Sequence, residues 1–97
     1  MIFNETEAEI TLQIVRSLRM CGILNKNIGI ISPYRAQVKH LHKFLKDNLK
    51  SVKELEIHTV DKFQGKDKEC IIVSLVRSNQ NGNVRFFIIM NIYINLL

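Results

Sequence analysis

Metal-binding and disulfide chemistry have little to draw on in this sequence. The 97 residues hold two cysteines, three histidines and no tryptophan. Cys21 and Cys70 stand far apart with no C-x-x-C partner, which argues against a zinc ribbon or a redox motif and suits a reduced, intracellular compartment. His40 and His42 are two apart within a helical pattern, so they face different ways and make no metal pair; no metal site is expected. Acidic residues interrupt the apolar ones at once after Met1, so no signal peptide is read there. No apolar run reaches the roughly 18 residues of a membrane helix, and no membrane partner is expected. Repeats and low-complexity segments are also missing.

The composition that remains is globular: 46% hydrophobic and 24% charged, in a chain long enough for one small domain. The formal net charge is +5. Between Arg35 and Lys68 nine Lys/Arg stand against five Asp/Glu, so most of the excess lies mid-chain. Such an excess fits a polyanionic partner such as nucleic acid, or a merely solubilising surface.

Periodicity sets out the elements. Asn4 is a helix cap with Glu7 three positions on, and Ala8, Leu12, Val15 and Leu18 share a face. The expected helix runs from about Glu5 to Met20, closed by Cys21-Gly22. "NIGIIS" reads as a short buried strand ended by Pro33. A helix follows from Arg35, with Val38, Leu41, Leu45 and Asn48 in one stripe and Phe44 beside it. A strand over Glu56–Val60 leads into a charged turn, and "CIIVSLV", Cys70–Val76, reads as a strand covered on both faces. Buried strands separated by crossovers make an α/β fold with a parallel sheet. The connection between the last two strands is too short for a full helix. Either they are not neighbours, or the turn holds a single helical turn.

Open parallel sheets bind ligands beyond the carboxyl ends of their strands. Polar residues gather there: Ser32-Pro33-Tyr34-Arg35 after the first strand, Thr59-Val60-Asp61 and Gln64-Gly65-Lys66-Asp67 after the second, and Arg77-Ser78-Asn79 after the third. Gly65 permits close backbone approach to a ligand, which suits phosphate; the plainer reading of these residues is a turn glycine followed by a solvated Asp67.

"IGIISPYRAQ", followed by "HTVDKFQGKDKECIIVSLVRSN", resembles the second motor domain of superfamily 1 helicases, over roughly Asn4 to Val84. Within them it is most similar to the replication helicase–nuclease; the RNA helicase of nonsense-mediated decay has a related pattern. The resemblance implies an incomplete RecA-like domain of the P-loop NTPase superfamily, over residues 1–84. In such motors two RecA-like domains clamp one ATP, and single-stranded nucleic acid crosses their top. Gln64, Gly65, Lys66 and Asp67 would then face the nucleotide, with Gly65 offering its N–H near the terminal phosphate. Thr59 and Val60 would lie along the strand path with Ser32, Pro33 and Tyr34, and Arg77 and Asn79 would join them. Arg35 and Gln37 begin a helix and carry a less definite role. For Arg77, phosphate binding and pairing with Asp61 are equal readings.

The resemblance also exposes gaps. There is no G-x-x-x-x-G-K-S/T loop and no acidic magnesium-binding strand end, and both belong to the first motor domain. The later arginine-bearing motif and the nuclease residues are missing as well. ATP and Mg2+ are therefore expected in a parent protein only, and the chain alone is expected to be inactive. Expected partners are single-stranded DNA, with RNA the alternative, and the parent's first RecA-like domain. Nuclear localisation follows from the same resemblance. The competing class is a non-catalytic basic module that binds nucleic acid or a protein. Residues 85–97, "RFFIIMNIYINLL", break from the family pattern and read as a divergent apolar tail, from a truncated or frameshifted sequence, with an extra strand over Ile88–Leu97 as the lesser reading.

Overall fold

The computed structural model describes residues 5–63 and 68–75 in full and 85–90 by their backbone. Helix α1 covers Glu5–Met20, and a 3₁₀ turn at Asn25–Asn27 leads into strand β1, Ile28–Ser32. Helix α2 spans Arg35–Asn48, followed by β2 (Glu56–Thr59), β3 (Cys70–Leu75) and β4 (Arg85–Met90). The α1 bounds are those read from the pattern. Its end is a Schellman motif: Gly22 has φ +91°, its N–H meets Arg19 O at 3.0 Å, and Ile23 N–H meets Leu18 O at 3.0 Å.

The sheet order is β2-β1-β3-β4. β1 pairs in parallel with β2 (Ile30↔Ile57, Ser32↔Thr59) and with β3 (Ile28↔Cys70, Ile30↔Ile72). The short link between β2 and β3 is thus explained twice over. The two strands are not neighbours, because β1 lies between them. The link also opens with a single helical turn, in which Phe63 N–H reaches Thr59 O at 3.1 Å.

β4 pairs antiparallel with β3, from Cys70↔Met90 to Leu75↔Arg85. The strand in the tail thus starts at Arg85 rather than Ile88, and residues 91–97 lie outside the described residues.

One face of the sheet carries the core. Ile28 and Ile30 of β1, Ile57 of β2 and Ile72 of β3 meet Ala8, Leu12 and Val15 of α1 and Leu41 and Leu45 of α2. Alternation along β1 puts Gly29 on the other face, where Phe63 and Lys68 cover it. β3 alternates buried and half-buried residues, so the expectation of equal cover on both faces fails among the described residues.

Two side chains differ from the pattern. Asn48, placed on the apolar stripe of α2, is exposed; its Nδ2 donates to Phe44 O at 2.7 Å, and its own carbonyl accepts from Arg16 Nη2 at 2.9 Å. Position 48 falls in the last turn of α2, where free carbonyls favour polar partners over burial. Lys68, one of the nine mid-chain cations, is buried rather than part of a charged surface. Its ammonium donates to Lys26 O at 2.6 Å and pairs with Glu56 Oε2 at 3.4 Å.

Candidate functional site

The parallel register sets Ser32 directly beside Thr59, so the polar ends of β1 and β2 share one rim. Proline at position 33 ends the ladder, and α2 starts two residues later with Arg35. Ser32 is fully buried, and its Oγ accepts the Tyr34 N–H at 3.3 Å, which folds the Ser32-Pro33-Tyr34 corner onto itself. What this corner presents outward is Pro33, Tyr34 and Arg35. Tyr34 has no side-chain cap bond; its carbonyl takes the N–H groups of Gln37 and Val38, both at 3.1 Å.

On the β2 side, Thr59 is half-buried and Val60 and Asp61 are exposed. The Thr59 hydroxyl donates to the Asp61 carboxylate and holds that group below the usual carboxylate range, with Asp61's own N–H adding to the effect. Desolvation opposes these two bonds, and Lys62 and Arg35 add smaller lowering effects through their charges. Asp61 thus has Thr59, Lys62 and Arg35 as described neighbours, while Arg77 lies outside the described residues.

Between the start of α2 and the end of β2 runs an open groove of about 290 Å³. Arg35, His42, His58, Thr59 and Lys62 line it over an apolar floor of Val38 and Ile57. His42 Nε2 lies 3.0 Å from Ile57 O, which anchors that ring to β2. Sequence reasoning missed Lys62, His42 and His58. Lys62 sits inside the quoted T-V-D-K-F run, so the motif itself was its signal; the histidines needed the β2–α2 contact.

Gln37 lies inward. It is fully buried, and its Nε2 donates to Ser74 Oγ at 3.5 Å. Ser74 in turn donates to Glu7 Oε1, and Glu7 is buried too. Burial pushes the Glu7 carboxyl above its ordinary value, with the Ser74 bond acting the other way. Asn4, read as the cap partner of Glu7, lies outside the described residues, as do Gln64, Gly65, Lys66, Asp67 and Asn79. Among the described residues no three His, Cys, Asp or Glu side chains gather as metal ligands. No described helix is long and apolar enough to cross a membrane.

A parallel β2-β1-β3 sheet, with both helices on its core face and polar strand ends on one rim, is an incomplete α/β domain of the RecA-like helicase type. The chain belongs to a family of such domains: a family model described as "AAA domain" matches residues 1–91, which takes in β4. It is similar to the DNA polymerase alpha-associated DNA helicase A of Saccharomyces cerevisiae, 48% identical over 84 residues, covering 87% of this chain and 12% of that protein. It is also similar to the DNA replication ATP-dependent helicase/nuclease DNA2. The Saccharomyces cerevisiae protein is 45% identical over 82 residues, covering 84% of this chain and 5% of the relative. The Homo sapiens protein is 40% identical over 83 residues, covering 86% of this chain and 8% of the relative. The chain therefore spans about a twentieth to an eighth of the length of these relatives. The superfamily 1 helicase resemblance read from the motifs holds.

Proposed function

We propose that this chain is part of the second motor domain of an ATP-dependent DNA helicase that moves along single strands, of the replication and repair helicase–nuclease type. The observation that carries the reading is the groove at the Ser32↔Thr59 rim. Two motif-bearing strand ends lie side by side there, and Arg35 and Lys62 supply positive charge over an apolar floor. A phosphate backbone laid along that rim would meet Pro33 and Tyr34, then Thr59, Val60 and Lys62, and onward Arg77 and Asn79. Ser32 acts from below by fixing the corner. The names of the relatives favour DNA over RNA, and a nuclear location is part of the same proposal.

ATP and magnesium would belong to the cleft between this domain and the parent's first RecA-like domain. Gln64, Gly65, Lys66 and Asp67 would face the terminal phosphate from this side, with the Gly65 N–H and the Lys66 ammonium as donors. ATP bound there supplies the phosphoryl-transfer chemistry. The residues of this chain suit half of such a site, since the phosphate loop is not among them. Because the turn carrying them follows directly on Thr59 and Phe63, nucleotide state and strand grip would be mechanically linked.

The test is binding of a single-stranded oligothymidylate to the 97-residue chain across a salt series. With about three phosphates neutralised, log affinity should fall against log salt with a slope of roughly −2. Arg35→Ala and Lys62→Ala should each make that slope shallower by about 0.7. Binding indifferent to salt, or slopes unchanged in both variants, would overturn the reading and favour a protein-binding module.

A further inference from the structure

Three side chains far apart in sequence form one buried chain of hydrogen bonds behind the rim. Gln37, in the first turn of α2, donates to Ser74 near the end of β3, and Ser74 donates to Glu7 in the first turn of α1. All three are 0% exposed. Thr11, also fully buried, returns its hydroxyl to Glu7 O at 2.8 Å and holds that turn of α1 in place. A core that only needed filling would use apolar residues here, because each polar group must find its partner or lose stability. Buried networks of this kind fix one arrangement of the elements they join.

Their location gives that arrangement a purpose. Gln37 stands two residues after Arg35, and Ser74 three residues before Arg77. We infer that Glu7, Ser74 and Gln37 form a positioning interlock, with Glu7 as its keystone, that holds the start of α2 and the carboxyl end of β3 at a fixed spacing. The start of α2 then presents Arg35 to the strand from a fixed position. The residues of the interlock touch no ligand; they act through the two segments. The effect on strand binding rests on the function proposed above, whereas the mechanical coupling does not.

The experiment compares wild type, Glu7→Gln, Glu7→Ala, Ser74→Ala and Gln37→Met by amide hydrogen exchange, thermal unfolding and oligothymidylate binding. Loss of one buried bond should speed exchange about tenfold at the Gln37 and Val38 amides and at those of β3. The β1–β2 ladder should stay protected. Glu7→Gln keeps an acceptor for Ser74 and should restore wild-type protection. Strand affinity should drop severalfold in Glu7→Ala, Ser74→Ala and Gln37→Met, with the salt slope unchanged because no phosphate contact is removed. Uniform loss of protection with a lower Tm in all four variants would make the three residues ordinary core and overturn the inference. So would unchanged exchange at the α2 start when Glu7 or Ser74 is truncated. If wild type binds no strand at all, the proposed function falls, and the exchange data alone decide the interlock.

Discussion

Gly29 sits in the middle of the central strand with no room for a side chain. A Cβ there would lie 2.4 Å from Phe63 Cζ and 2.7 Å from Cε1, whereas carbon atoms rest at about 3.5–4.0 Å. β1 is paired on both sides, Gly29↔Glu56 and Gly29↔Ile71, so its backbone cannot retreat. The Phe63 ring must move instead. Overpacking of this kind costs about 1–3 kcal/mol, and the stiffer unfolded chain of alanine returns about 0.4–1 kcal/mol. Gly29→Ala should therefore destabilise the fold by about 0.5–2 kcal/mol, read as a lower urea midpoint at constant m. The decisive measurement is the double-mutant cycle with Phe63→Ala. Once the ring is gone, Gly29→Ala should be neutral or stabilising, a coupling of about 1–2 kcal/mol. An equal cost of Gly29→Ala in both backgrounds, or no cost in the wild type, would refute the close-approach reasoning.

Gly22→Ala places a Cβ at φ +91° with open space around it, so only backbone strain acts; a loss of about 1 kcal/mol is expected in urea unfolding. Burial raises the Glu7 carboxyl above its ordinary value of 4.5, so the folded state holds that proton more tightly than the unfolded chain. Its contribution is full below that value and is lost as pH rises through the folded value. Glu7→Gln removes this loss, so its Tm relative to wild type should climb from about pH 4.5 upward and then level off; a pH-independent difference would count against the burial argument. The purified chain should show no ATPase activity, with or without DNA, because phosphate loop, magnesium ligands and arginine finger act together. Strand-stimulated phosphate release above a buffer control, in protein free of contaminating motors, would contradict that. In a full-length parent, Asp67→Ala should lower ATP turnover and spare nucleotide-free strand binding, while Thr59→Ala should weaken strand binding first; equal losses of both activities in each variant would make the turn structural.

The sequence by itself determined what depends on neighbours along the chain. The amphipathic period of α1 and its glycine stop, the proline that ends β1, and the apolar run of β3 are local signals, and their elements stand where those signals put them. The motif pair around Pro33 and Thr59 likewise carries the family resemblance in the linear sequence. Tertiary structure decided what depends on distant partners. Nothing local to Glu7 tells that it lies buried against Ser74, 67 residues away, or that Gln37 turns inward two positions after an exposed Arg35. The same holds for Phe63 on Gly29 and for Lys68, whose charge is answered by Glu56 and the Lys26 carbonyl instead of by water. A helical or strand period specifies which side of an element is apolar. The polar residues that share that side are placed only when sheet order brings their hydrogen-bond partners across, because burial without a partner costs more than the fold can absorb.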